Sequence, residues 1–160
     1  MFSRRRLLAG GATGILAAAL SRPGLALAAS YPFTLTDVQW RARLSPAQYN
    51  VLRQEGTEAP GSSPLLNEHR AGIFSCAGCK LDAYSSKTKF ESGTGWPSFW
   101  IPLPKSVVED KDSTLGMVRT KVSCARCGGH LGHVFDDGPK PTDLRYCMNG
   151  VALTFRTAAV

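Results

Sequence analysis

Cys76-Ala77-Gly78-Cys79 and Cys124-Ala125-Arg126-Cys127 are two Cys-x-x-Cys pairs with 44 residues between them, and they hold four of the five cysteines of the chain. A turn of this kind carries both sulfurs to one side of the backbone. Gly78 and the Gly128-Gly129 pair offer the backbone freedom that such turning uses. Two knuckles close a tetrahedral shell of four thiolates at metal–sulfur distances near ~2.3 Å, the donor set of a structural zinc ion, one per chain. The long interval means that the metal ties together strands far apart in sequence. Two redox-active disulfides are the competing reading, but a thioredoxin-like site needs a βαβ context that the pattern does not show. Cys147, in the run Leu144-Arg145-Tyr146-Cys147-Met148-Asn149-Gly150, is left as the one thiol outside the pairs.

The front of the chain reads as a targeting segment. Ser3-Arg4-Arg5-Arg6 is basic, Leu7 to Leu20 is apolar and rich in Gly and Ala, and Ala26-Leu27-Ala28 offers a small-x-small cleavage site. Adjacent arginines before an apolar run have the form of a twin-arginine export signal. The apolar stretch has about 14 residues, against roughly 20 for a spanning helix, so an uncleaved membrane anchor is the weaker reading. Residues 1–28 are therefore expected to be a signal peptide, 29–36 a short linker, and the mature protein an exported, periplasmic one. Exposed thiols in an oxidising compartment tend to pair. Twin-arginine export carries folded proteins, so the four cysteines would arrive already masked by metal.

The whole chain has 19 Lys and Arg against 12 Asp and Glu, a net +7. Arg4, Arg5, Arg6 and Arg22 leave with the signal and no acid does, which reduces +7 by four to +3. A zinc ion on four thiolates adds a further −2. So little charge argues against a nucleic-acid partner, despite a sequence pI near 9.4.

About 130 mature residues suit one domain with a real core. Ser45 as N-cap, Pro46 at the first helical position and the stripe Ala47, Val51 and Leu52 predict a helix ending near Gly56. A Gly/Ser/Pro-rich loop follows from Thr57 to Pro64, then a helical turn within Leu65 to Ala71. After Gly72 the period changes to two. Val118, Thr120 and Val122 alternate with Arg119, Lys121 and Ser123, and Val151, Leu153 and Phe155 with Ala152, Thr154 and Arg156. Ile73-Phe74, Val107-Val108 and Val134-Phe135 are shorter strand candidates. The pattern predicts a mainly antiparallel β domain with a helical N-terminal segment.

Three further runs carry chemistry. Gly129-His130-Leu131-Gly132-His133-Val134-Phe135 places two histidines three apart; a lone histidine is commonly a surface or core residue, but imidazole near pH 7 also exchanges protons with a reacting oxygen. An isolated cysteine such as Cys147 is commonly buried and inert. On a regular strand, however, Arg145 and Asn149 share its face, and the arginine charge lowers a thiol pKa. In Gly93-Thr94-Gly95-Trp96-Pro97-Ser98-Phe99-Trp100, aromatics sit in a turn-forming loop, either as a lid on the core or as an apolar wall for a small alkyl group.

Together, Lys89 to Phe99, the Gly-His-Leu-Gly-His-Val-Phe run, Arg145 to Gly150 and the two knuckles resemble the B-type methionine sulfoxide reductases. Upstream Trp40, Leu44, Ser45, Tyr49, Arg53, Thr57 and Glu58 fall where that family has similar residues. The resemblance covers residues 37–156 and leaves 157–160 as a tail. It implies two antiparallel sheets with peripheral helices, and reduction of methionine-R-sulfoxide, free or in proteins, as repair of oxidised proteins. It makes Cys147 the nucleophile and Trp96 the residue that packs on the substrate methyl. His130, His133 and Asn149 line the pocket, with Arg145 close by, and Cys76, Cys79, Cys124 and Cys127 hold zinc. Thiolate attack on the sulfoxide sulfur leaves Cys147 as a sulfenic acid. Many members carry a resolving cysteine where this chain has Thr94. An external thiol reductant such as a thioredoxin-like protein is the expected partner, with the chain acting as a monomer. The rival from another class is a zinc-knuckle binding module with Cys147 buried and inert.

Overall fold

In a computed structural model of the chain, residues 31–113 and 116–158 are described, and the expected signal peptide at 1–28 lies outside them. Two short helices come first. Helix α1 (Asp37–Arg43) begins at a capping box in which the Thr36 side chain accepts from the Gln39 backbone and the Gln39 side chain from the Thr36 backbone. Helix α2 (Pro46–Gln54) repeats the device with Ser45 and Gln48, carries Pro46 in its first turn, and closes on Glu55 in the left-handed region. Its buried residues Tyr49, Val51 and Leu52 face the domain. The helical turn expected after Pro64 is a single 3₁₀ turn, Pro64–Asn67.

The rest is antiparallel β. A three-stranded sheet runs in the order β2-β1-β9, from Asp82–Ser85, Gly72–Cys76 and Leu153–Thr157. A six-stranded sheet runs β3-β4-β8-β7-β6-β5. Its strands are Lys89–Phe90, Ser98–Phe99, Arg145–Met148, His130–Phe135, Arg119–Cys124 and Val107–Asp112. The architecture expected from the sequence is the one formed. Three strand edges differ: β6 starts at Arg119 and leaves Val118 outside it, Gly150–Ala152 is a 3₁₀ turn so that β9 starts at Leu153, and β9 runs through Thr157, one residue past the expected boundary at 156.

The two sheets meet through aromatic side chains. Tyr84 of β2 stacks on Phe99 of β4 with centroids 4.4 Å apart, and Phe74 of β1 meets the same ring edge-on at 5.0 Å. The Tyr84 hydroxyl, deep in this core, donates to Met148 Sδ at 3.0 Å. All four side chains are fully buried. Packing of this kind costs about 3–5 kcal/mol when a ring is truncated to alanine. Strand β8 shows how the core positions the site. Tyr146 and Met148 point into the core, and the alternation of a strand turns Arg145 and Cys147 to the other face. Among the described residues no helix is long and apolar enough to cross a membrane.

Candidate functional site: a cysteine cluster and a thiol pocket

The two knuckles converge. The Sγ atoms of Cys76, Cys79, Cys124 and Cys127 all lie within 4.8 Å of one another, and all four residues are buried. Cys76 Sγ is 3.8 Å from Cys127 Sγ and Cys79 Sγ 3.5 Å from Cys124 Sγ. A tetrahedron with metal–sulfur bonds of ~2.3 Å has edges of about 3.8 Å, so the donor set fits a four-coordinate metal ion. The knuckles share one backbone plan. Lys80 N–H donates to Cys76 O at 2.8 Å and Gly128 N–H to Cys124 O at 2.9 Å, and both donors have positive φ, 64° and 68°. The left-handed residue of the first knuckle is therefore Lys80 rather than the expected Gly78.

Three arginines surround the cluster. Arg43 Nε donates to Gly78 O at 2.7 Å, Arg53 Nη1 to Cys127 O at 3.0 Å and Arg126 Nη1 to Cys79 O at 3.3 Å. Arg43 and Arg53 pin the knuckles to α1 and α2, and Arg126 pins the second knuckle to the first. They also bring positive charge toward four sulfurs whose metal-bound form is an anion. Because sulfurs of the two knuckles approach one another to 3.5 and 3.8 Å, the four cysteines form one site shared by both knuckles.

Cys147 lies elsewhere, near the middle of the large sheet. It pairs with His133 of β7 on one side and with Ser98 of β4 on the other. With Trp96, Asn149, His133, Gly132, Phe135, Thr57 and Arg119 it lines a cavity of about 150 Å³. Gly132 is needed for the close approach of the strands, because a Cβ there would run into the Cys147 carbonyl oxygen. A larger apolar cleft of about 580 Å³ lies between α2 and β9, lined by Val51, Leu65 and Phe155 among others, but its lining has neither cysteine nor histidine. Chemistry, not size, selects the smaller cavity.

The two histidines stand in β7, not in a loop. Three residues apart on a regular strand they would face opposite ways. The pairing of β6 with β7 slips here: Val122 faces Gly132 and Ser123 faces His130, so Leu131 is an extra residue. This bulge sends Leu131 into the core and returns the His130 ring to within 5.2 Å of the His133 ring. Burial, reinforced by the neighbouring His133, pushes the His130 pKa down to about 4. His130 is thus neutral at physiological pH, and its buried Nδ1 has no hydrogen-bond partner. His133 is different, for its Nε2 lies 2.8 Å from Asp112 Oδ2, which also accepts from Arg119 Nη2 at 2.8 Å.

Burial also dominates at Cys147. Desolvation pushes its thiol pKa up, and the Thr94 hydroxyl, the Arg145 charge and Ser98 offset only part of this. Arg145 acts in the direction expected from the sequence and is outweighed. It is itself held by Asp137 through two 2.8 Å hydrogen bonds. Thr94 Oγ1 is 3.8 Å from Cys147 Sγ and continues through Ser92 (2.8 Å) to Ser98 (2.7 Å). Trp96 closes the cavity, its Nε1–H donating to Glu58 O at 3.2 Å. Asn149 lies just past the end of β8, with Nδ2 donating to Leu131 O at 3.1 Å.

The four expected metal ligands meet in the cysteine cluster, and Cys147, Trp96, His133 and Asn149 meet at the thiol cavity, whereas Arg145 does not line that cavity and His130 lines an adjoining one of about 100 Å³ with Asp112, Arg119 and Lys121. The sequence reading missed Asp112, Arg119 and Phe135 as pocket neighbours. Phe135 was within reach, two residues from His133 on the same strand face. Asp112 and Arg119 face each other across the β5–β6 hairpin, and only the register of β6 on β7 brings them to His133.

Comparison with known proteins supports the same reading. The SelR domain model matches residues 44–157. The peptide methionine sulfoxide reductase MsrB of Agrobacterium fabrum is 52% identical over 121 residues, 75% of this chain and 90% of that protein. The protein of the same name from Leptospira interrogans is 48% identical over 128 residues, 79% of this chain and 98% of that one. The one from Bradyrhizobium diazoefficiens is 55% identical over 119 residues, 74% and 86% respectively. On its fold, its cysteines and its sequence alike, the chain belongs to the SelR-domain family of peptide methionine sulfoxide reductases.

Proposed function

We propose that the chain reduces methionine-R-sulfoxide to methionine with Cys147 as nucleophile, and that one observation carries the residue assignment. Cys147 lies directly across the strand pair from His133, in a small cavity with Trp96 and Asn149 in its lining. The Trp96 ring offers an apolar surface to the sulfoxide methyl group, and the Cys147 thiolate attacks the sulfoxide sulfur. His133, oriented by Asp112, delivers a proton to the oxygen. The protonated oxygen then moves from the substrate sulfur to the Cys147 sulfur as the transient sulfur–sulfur bond breaks, so that methionine departs and Cys147 is left as a sulfenic acid. His130, which is neutral at physiological pH, packs edge-on against the His133 ring from behind the pocket lining.

Thr94 stands beside Cys147 where a second cysteine would close a disulfide. An external thiol, from a thioredoxin-like protein or a small molecule, therefore condenses with the sulfenic acid and releases water. A second thiol resolves the mixed disulfide. In this reading the four clustered cysteines hold one zinc ion, which stabilises the fold and takes no part in the reaction. The protein is exported through residues 1–28 and acts on free or protein-bound sulfoxide in the periplasm as a monomer. The test is turnover on resolved R and S sulfoxides, wild type against Cys147→Ser. Activity on the R epimer alone, lost in the serine variant with metal retained, is expected. Substantial turnover by Cys147→Ser would remove Cys147 from the role.

A further inference from the structure

Glu58 makes four hydrogen bonds into the pocket's supports from a segment distant in sequence. Its carboxylate accepts from Gly150 N–H at 2.5 Å and from Val151 N–H at 2.9 Å. Its own N–H donates to Asn149 Oδ1 at 3.0 Å, and its carbonyl oxygen accepts from Trp96 Nε1 at 3.2 Å. Gly150 and Val151 open the 3₁₀ turn that follows β8, and the Asn149 side chain, at the capping position, makes no capping hydrogen bond. The first N–H groups of such a turn need acceptors. Glu58 supplies both, which leaves the Asn149 amide free to bind Leu131 O and Glu58 N–H instead.

From this geometry we infer that Glu58 is a positioning residue for the sulfoxide pocket. It caps the turn after Cys147 in place of Asn149, and in doing so fixes both the Asn149 amide and the plane of the Trp96 ring. The anchoring runs in one direction. The carboxylate is clamped to the turn, the clamp holds the Thr57–Glu58 backbone, and that backbone presents its N–H to Asn149 and its carbonyl to Trp96. Two walls that come from positions 96 and 149 are thereby referred to one side chain. Cys147 itself is held independently by β4 and β7. The inference rests on the proposed reaction for its kinetic consequence, but its structural consequence can be read without substrate.

The variants are Glu58→Ala, which removes the clamp, and Glu58→Gln, which keeps one acceptor and turns an amide N–H toward the turn. Glu58→Ala is expected to lose about 10- to 100-fold in kcat/KM on methionine-R-sulfoxide, because small misplacements of a reacting group cost that much. Glu58→Gln is expected to fall between Ala and wild type. Metal content and the rate of Cys147 alkylation by iodoacetamide should stay within about twofold of wild type in both. The Trp96 contribution to fluorescence, read as the difference on adding Trp96→Phe in each background, should change in Glu58→Ala and partly recover in Glu58→Gln. Wild-type kcat/KM with an unchanged Trp96 signal would overturn the inference. So would a parallel loss of activity, alkylation and metal in Glu58→Gln, which would mark a general folding role. A wild-type protein inactive on the R sulfoxide would defeat the proposed reaction and leave the Trp96 signal to decide the case of Glu58.

Discussion

The His130 and His133 rings meet edge to face at 5.2 Å only because Leu131 is an extra residue against β6. The bulge gives two chemically equal side chains unequal surroundings. One is buried with an unpartnered Nδ1 and the other is paired with a carboxylate. Their roles divide accordingly.

His133→Ala is expected to lower kcat by roughly 10²-fold, the usual cost of removing a positioned proton donor. Asp112→Asn, which leaves the imidazole in place without its carboxylate, should lower kcat by about tenfold. Steady-state kinetics on the R sulfoxide checks both. A wild-type kcat in His133→Ala would move the proton-transfer role away from this strand.

His130 predicts a pH dependence of stability. Its pKa is about 4 in the folded protein against 6.5 as a free imidazole. Between those values the unfolded chain binds a proton that the folded one does not, so folding stability is full above 6.5 and is lost as the pH falls toward 4. The loss is on the order of 3 kcal/mol. Denaturant midpoints of wild type and His130→Asn, both holding metal, should converge between pH 7 and pH 5. Parallel curves would show that His130 does not titrate there.

Cys147 predicts a second pH dependence, of the same origin and the opposite direction. Burial raises the thiol pKa, so the thiolate is the minority form at neutral pH and alkylation should rise with pH to a midpoint above that of a free cysteine. Arg145→Leu should move the midpoint further up by removing the offsetting charge. A midpoint below about 7 would mean that the arginine, not burial, governs the thiol.

Replacing Cys76, Cys79, Cys124 or Cys127 with serine should cost metal and stability together. In isolated zinc-finger peptides the metal contributes on the order of 10 kcal/mol of folding free energy, and less is at stake in a domain with its own core. Metal analysis beside thermal unfolding tests this. An unchanged melting temperature in a metal-free variant would make the site non-structural.

Thr94→Cys should restore an internal partner for the sulfenic acid, since the threonine hydroxyl already lies 3.8 Å from Cys147 Sγ. After one turnover without reductant, mass spectrometry should find the introduced thiol joined to Cys147 in the variant and a dimedone-reactive Cys147 in wild type. A disulfide between Cys147 and a clustered cysteine in wild type, with metal lost, would overturn the external-thiol route.

Much of this protein is legible in local sequence, for local reasons. The Ser45-Pro46 start of α2 is a capping interaction within three residues, the period-two runs at 119–123 and 153–156 follow from side-chain alternation, and each knuckle is a hydrogen-bonded turn of five residues. Helix α1 was equally readable from Thr36 and Gln39, a box of the same kind. What the tertiary structure decided depends on register between distant strands. A one-residue slip on β7 returns His130 to the side of His133 and sends Leu131 into the core, and no local pattern in Gly129 to Phe135 announces it. Asp112 reaches His133 across β6, and Glu58 reaches Gly150 over 92 positions of sequence. The protonation of Cys147 is of the same kind: neighbours in sequence supply Arg145, but burial, a property of the whole fold, outweighs it.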